Sequence, residues 1–122
     1  MSDEPVHAIY GTPLSEWITQ TAAELPVDAV GLWQITPDAR EYFGLEGEAL
    51  VSAVERAIHT LLDHGAKPVR GGRGTGHHWI EQTHYGTEPD DIVRRIIAEW
   101  SGWSLGEPTV GGIWFALPEL FG

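Results

Sequence analysis

The run Arg70-Gly71-Gly72-Arg73-Gly74-Thr75-Gly76-His77-His78-Trp79 concentrates the residue types best suited to hold a small anion. Four glycines among residues 71–76 let backbone amides come close to a ligand, and the guanidinium groups of Arg70 and Arg73 would add charge for a phosphate. A phosphate-gripping P-loop, however, ends in Gly-Lys-Ser/Thr and opens a helix. Here Gly76 runs into two histidines, a tryptophan and an expected strand. The glycine spacing of dinucleotide-binding loops is not met either. The segment reads first as a flexible hairpin tip. Arg70, Arg73, His77, His78 and Trp79 are its candidate binding residues, and Trp103, in a turn past a helix end, is a further aromatic anchor.

The other reactive groups are poorly arranged for catalysis. On one strand from His77 to Tyr85, His78 and His84 would share a face yet stand about 20 Å apart. His59 and Asp63 lie one helical turn apart, which suits a shared ion or a surface pair. Neither His-x-x-x-His nor His-Glu-x-x-His occurs, so no metal or other cofactor is expected. The absence of cysteine removes disulfides, thiolate nucleophiles and cysteine-based zinc sites. Gly-x-Ser-x-Gly is also absent. With 18 acidic residues some carboxylates will always be neighbours, so proximity alone marks no acid–base pair. No catalytic residue is assigned.

Positioning falls to a small set of elements. Thr12-Pro13 reads as a cap followed by a first-turn proline, opening a helix from Pro13 to Glu24 behind a loose lead-in over residues 1–11. Val27 to Ile35 is short, apolar and interrupted by Gly31; it leans to helix. Thr36-Pro37-Asp38 repeats the cap-and-proline signature and starts a short helix ending near Gly44. From Gly47 to His64 a broad apolar stripe, Leu50, Ala53, Val54, Ala57, Ile58, Leu61 and Leu62, predicts the central helix, with Gly65 as its left-handed cap.

Lys67 to Arg70 predicts a strand, which Pro68 would place at an edge. A strand from His77 to Tyr85 completes a hairpin. Thr87-Glu88-Pro89-Asp90 launches a last helix through Trp100, with Asp90–Arg94 and Asp91–Arg95 as supporting pairs. The apolar run Gly112 to Leu117 predicts a strand in the middle of a sheet or under a helix. Trp17, Trp33, Trp100 and Trp114 fall on apolar stripes and read as core. The expected class is α+β: about four helices on a small, mainly antiparallel sheet, with a winged-helix-like helix–hairpin unit as one form. The 122 residues fit a single domain, long enough to bury about two-thirds of the unfolded surface.

Charge is the unusual bulk property. Eighteen acids against seven bases give −11, a surface that repels phosphate backbones and draws basic partners. An apolar fraction of 42% with six tryptophans argues against disorder. The acidic opening Met1-Ser2-Asp3-Glu4-Pro5 does not read as a secretory signal, and no long apolar run reads as a membrane helix, so the cytoplasm is the expected location.

Three functional readings follow. In Gly65-Ala66-Lys67-Pro68-Val69, in Tyr85-Gly86 before an Asp-rich helix start, and in Gly112-Ile113-Trp114-Phe115, the chain resembles the small acidic single-domain proteins of bacteria, immunity proteins among them. That resemblance implies inhibition of a toxin by occlusion and assigns no functional residue. The favoured expectation is thus an acidic domain binding a basic protein partner, with neither nucleic acid nor membrane. The second is a winged-helix nucleic-acid-binding or regulatory domain with Lys67, Arg70 and Arg73 in the wing; the acidic helix before it opposes DNA contact. The third is a small enzyme or ligand-binding domain using the Gly71–Gly76 loop.

Overall fold

A computed structural model describes residues 5–71, 79–101 and 112–118. Leu14, Ile18 and Ala22 recur every four residues and are all buried, which fixes the inner face of α1 (Leu14–Ala22). Pro13 stands one position earlier than expected, as the N-cap in extended conformation. Thr12 contributes no side-chain cap, and the first helical N–H, that of Leu14, donates instead to the Pro5 carbonyl at 2.9 Å. The helix stops at Ala22, where Glu24 and Leu25 N–H groups turn to the carbonyls three residues back.

The ambiguous stretch divides. Val30–Gly31 forms β1, and Leu32–Glu41 forms α2 directly after it. The lean to helix fails for the first half because Val30 and Gly31 pair with a strand more than eighty residues away, which no local window can register. The Gln34 side chain accepts the Gly31 N–H at 2.9 Å and caps the entry. Thr36-Pro37 therefore lies inside α2 rather than at its start. Pro37 has no N–H for the preceding turn, and among the described residues the fully buried Thr36 hydroxyl finds no hydrogen-bond partner. A buried unsatisfied hydroxyl costs stability. Thr36→Val keeps the shape and removes the polar atom. It should raise the urea unfolding free energy by about 1 kcal/mol.

Gly47–Asp63 forms α3, as the apolar stripe predicts, and packs against α1, α2 and α4 (Pro89–Ser101). Gly65, with φ of +96°, closes α3: its N–H donates to the Leu62 carbonyl, and that of Ala66 to Leu61. Those two bonds make a Schellman cap, which needs the left-handed residue that glycine supplies.

Strands Lys67–Gly71 (β2), Trp79–Glu81 (β3) and Trp114–Ala116 (β4) join β1 in an antiparallel sheet ordered β1-β4-β2-β3. With four helices the class is α+β. The apolar run at β4 takes an inner position, and Phe115 joins the helical core. Val69 and Ala116 belong to a second, smaller cluster with Ala29.

Two strand expectations need correction. β2 lies between β4 and β3, although it contains Pro68. The Pro68 carbonyl accepts the Gln82 N–H at 2.8 Å on the β3 side. Its missing N–H faces the same way, at the end of that ladder, so the β4 ladder is untouched. The strand predicted to reach Tyr85 stops at Glu81, and Thr83–Tyr85 is a 3-10 turn that buries the Tyr85 ring. His84 is on that turn, not on a strand.

The expected pairs on α4 are also replaced. Arg94 bonds Asp91 at 2.6 Å, three residues back, while Asp90 meets His59 at 3.4 Å. Arg95 donates to the His84 carbonyl at 3.0 Å.

Candidate functional site

Of the residues singled out around the glycine loop, Arg73, His77, His78 and Trp103 lie outside the described residues. Trp79 is placed by its backbone alone, opposite Gly71 in the β2–β3 ladder. Arg70 is described in full, and its charge is already engaged. Its guanidinium stands 3.4 Å from the Glu99 carboxylate on α4, and both side chains are about one-third exposed. Glu99 also accepts the Tyr85 hydroxyl, at 3.0 Å to each oxygen.

This trio fastens the hairpin to the last helix. An arginine neutralised by a carboxylate offers less to an incoming phosphate. Burial, the hydrogen bond to Glu99 and that carboxylate's charge push the Tyr85 phenol up to about 12, against the opposing pull of Arg70. A phenol so held is neither a base nor a nucleophile near neutral pH. The folded chain keeps this proton when an unfolded tyrosine, titrating at 10.0, has lost it. Stability should therefore fall as pH rises from 10 to about 12. Tyr85→Phe should flatten that alkaline loss, read as urea midpoints, and cost about 1 kcal/mol at neutral pH.

A second candidate site is built by the N-terminal turn. Residues 5–13 fold back as a closed turn: His7 N–H donates to the Thr12 carbonyl, Gly11 N–H to His7, and Ala8 N–H to Tyr42 at the end of α2. The His7 ring, 8% exposed, is the hub of that turn. Its Nδ1 accepts the Ile9 and Tyr10 N–H groups at 3.1 and 3.2 Å, which places the neutral ring's proton on Nε2. The ring stacks on Tyr42 at 4.5 Å and 16°, lies 4.9 Å from Tyr10, and meets Phe43 edge-on at 5.6 Å.

Between this turn, α1 and α2 opens a cleft of about 430 Å³, lined by His7, Tyr10, Trp17, Gln20, Asp38 and Tyr42 among others. A second hollow of about 190 Å³ adjoins it, sharing Trp17 and Asp38 and adding Glu24. Trp17 leans on Phe43 at 5.2 Å but is only partly buried; it is core on one side and wall on the other. Tyr10 is 78% exposed at the rim, beside the exposed Val6 and Ile9.

Asp38 is the polar centre of the cleft. Among the described residues no side chain donates a hydrogen bond to its carboxylate. Burial holds its carboxyl above the usual range; His7 pulls it down, and the negative Glu41 adds to the rise. The folded state thus binds the Asp38 proton more tightly than the unfolded chain, whose value is 3.8. The charged form is a stability penalty at neutral pH that lifts as pH falls through the folded-state titration. Asp38→Asn should raise the urea midpoint at pH 7 and leave it unchanged below the unfolded value.

Acidic residues outnumber basic ones around the cleft, although Arg40 follows Asp38 by two positions on α2. Residues 5 to 39 contain no lysine or arginine against Glu16, Glu24, Asp28 and Asp38. None of this ring-and-carboxylate group was marked by a motif, because its members come from a turn and two helices at no fixed spacing. Only the helical period of Trp17 and the isolated aromatics Tyr10 and Tyr42 hinted at it. Among the described residues, no group of three or more His, Asp or Glu side chains is gathered to hold a metal ion, and no helix is long and apolar enough to cross a membrane. No family model, curated protein or solved structure matches the chain, so the cleft's own chemistry is the guide to its use.

Proposed function

We propose that the chain is an acidic protein-binding domain that occludes a basic surface on its partner. The observation that carries this reading is the exposed pair Ile9 and Tyr10 lining an aromatic cleft, in a chain of net charge −11. Aromatic side chains make effective anchors at interfaces, and a surrounding negative field steers basic partners toward them. The likeness to acidic immunity proteins supports the same mode of action, inhibition of a toxin by covering its working surface.

Capture on immobilised protein from the native host tests this. The expected result is a basic protein whose retention falls steeply as salt is raised. Recovery of nucleic acid instead, or of nothing salt-sensitive, would overturn it.

The order α1-β1-α2-α3-β2-β3 favours a winged-helix-like unit as the scaffold, with β4 set between β1 and β2. Its use in DNA reading is opposed by Glu48, Glu55 and Asp63, exposed along α3, and by the engagement of Arg70. We propose that such a unit serves protein contact. An enzyme built on Gly71–Gly76 gains no support from Arg70, the candidate at its edge that is described in full.

A further inference from the structure

We infer that the cleft between the N-terminal turn, α1 and α2 is a socket for one arginine of the partner, its guanidinium set against the Tyr10, Trp17 and Tyr42 rings and paired with the Asp38 carboxylate. This rests on the reading of the chain as a binder of basic proteins, and names the anchor point of that binding.

Three observations converge. First, the walls are aromatic, and their faces carry the negative side of a quadrupole that attracts a cation. The His7–Tyr42 stack and the turn hydrogen bonds set these rings before any ligand arrives, so little ordering is required on binding. Second, Asp38 presents a carboxylate to both hollows with no hydrogen-bond donor from the described side chains. Burial already disfavours its charge, and a paired cation would relieve that penalty. Third, among the described residues neither hollow is lined by a lysine or arginine, Arg40 of α2 lining a separate one with Glu46 and Leu50, while Glu24 in the adjoining hollow and Glu41 on α2 deepen the negative field.

Other occupants fit less well. An anion would meet the carboxylates of Asp38, Glu24 and Glu41, and no lysine or arginine among the described residues lines either hollow to hold it. A wholly apolar group would strip water from Asp38 and return nothing. Between the two basic side chains, guanidinium is planar, stacks on rings, forms two parallel bonds to a carboxylate and is less strongly hydrated than ammonium. Arginine is therefore the expected guest.

The test is titration of the full chain with N-acetyl-arginine amide, followed by backbone amide shifts, beside the lysine amide and the neutral citrulline amide. Arginine should shift Tyr10, Gln20, Asp38 and Tyr42 and saturate at about millimolar concentration, as befits one side chain. Citrulline should bind at least about tenfold more weakly, lysine a few-fold more weakly, and Asp38→Asn should lose about tenfold for arginine. Tyr10→Ala, whose side chain is mostly exposed and not needed for folding, should also weaken it. Lowering the pH through the titration of Asp38 should release the probe.

Citrulline or lysine equal to arginine, shifts centred elsewhere, or indifference to Asp38→Asn would overturn the inference. If a basic partner is captured equally by wild type and by Asp38→Asn, the socket fails while the partner reading stands. If arginine binds the cleft but no basic protein is captured, the socket stands and the partner reading fails.

Discussion

Phe115→Ala should destabilise the protein by about 3–5 kcal/mol, measured by urea unfolding. Phe115 has no exposed surface and sits on β4 between Val30 and Pro68, the one strand with a neighbour on each side that also reaches the helical core. Truncation removes the transfer energy of the ring and leaves a void in the close-packed core. Phe115 is not among the residues that line the cleft. Provided the variant stays mostly folded, arginine affinity should therefore remain near that of wild type. A matched loss of stability and of arginine binding would show that the cleft is not a separately built feature.

The prominence of Phe115 was visible before any coordinates. A continuous apolar run of strand length, bounded by Gly112 and Pro118, has few places to go except inside a sheet. The same held for α3, whose apolar stripe and terminal Gly65 specify both its inner face and its end. These elements carry their instructions locally. Where pairing partners are distant, local pattern misleads. Val30 and Gly31 become a strand only because β4 lies beside them, and Pro68 is tolerated mid-sheet only because its missing N–H points past the end of β3. The early stop of β3 has a similar origin, since Tyr85 must turn inward to reach Glu99.

The cleft was harder to foresee than the fold. Glycines, arginines and adjacent histidines draw the eye because known chemistry uses them in recognisable spacings. Of that set, Arg70 turned out to be a fastening paired with Glu99. His7, by contrast, stands alone among Val6, Ala8, Ile9 and Tyr10 with nothing in its spacing to mark it. Its role arises from the chain doubling back so that one ring nitrogen faces two backbone N–H groups and the ring face meets Tyr42. Such a hub is a property of tertiary placement.

His7→Ala is the decisive change at that hub, with an expected loss of about 2 kcal/mol and a disproportionate effect on binding. Two N–H groups lose their acceptor, but Ile9 and Tyr10 are exposed, so water can replace much of that bond. The larger part of the cost is the stack on Tyr42 and the void left under the turn. Without the ring, Tyr10 has nothing to lean on and the cleft loses one wall. Amide exchange should then quicken at Ala8 and Gly11, whose N–H groups hold the turn, while α3 remains protected.

Arginine affinity should fall more than tenfold even at temperatures where the fold is intact. His7→Asn separates the two contributions. Its side-chain oxygen can accept the same N–H groups in an Asx turn, so it should restore exchange protection at the turn without restoring the aromatic wall. Binding recovered in full by asparagine would mean that the turn alone forms the site. Binding unaffected by either substitution would mean that the stacked rings have no part in it.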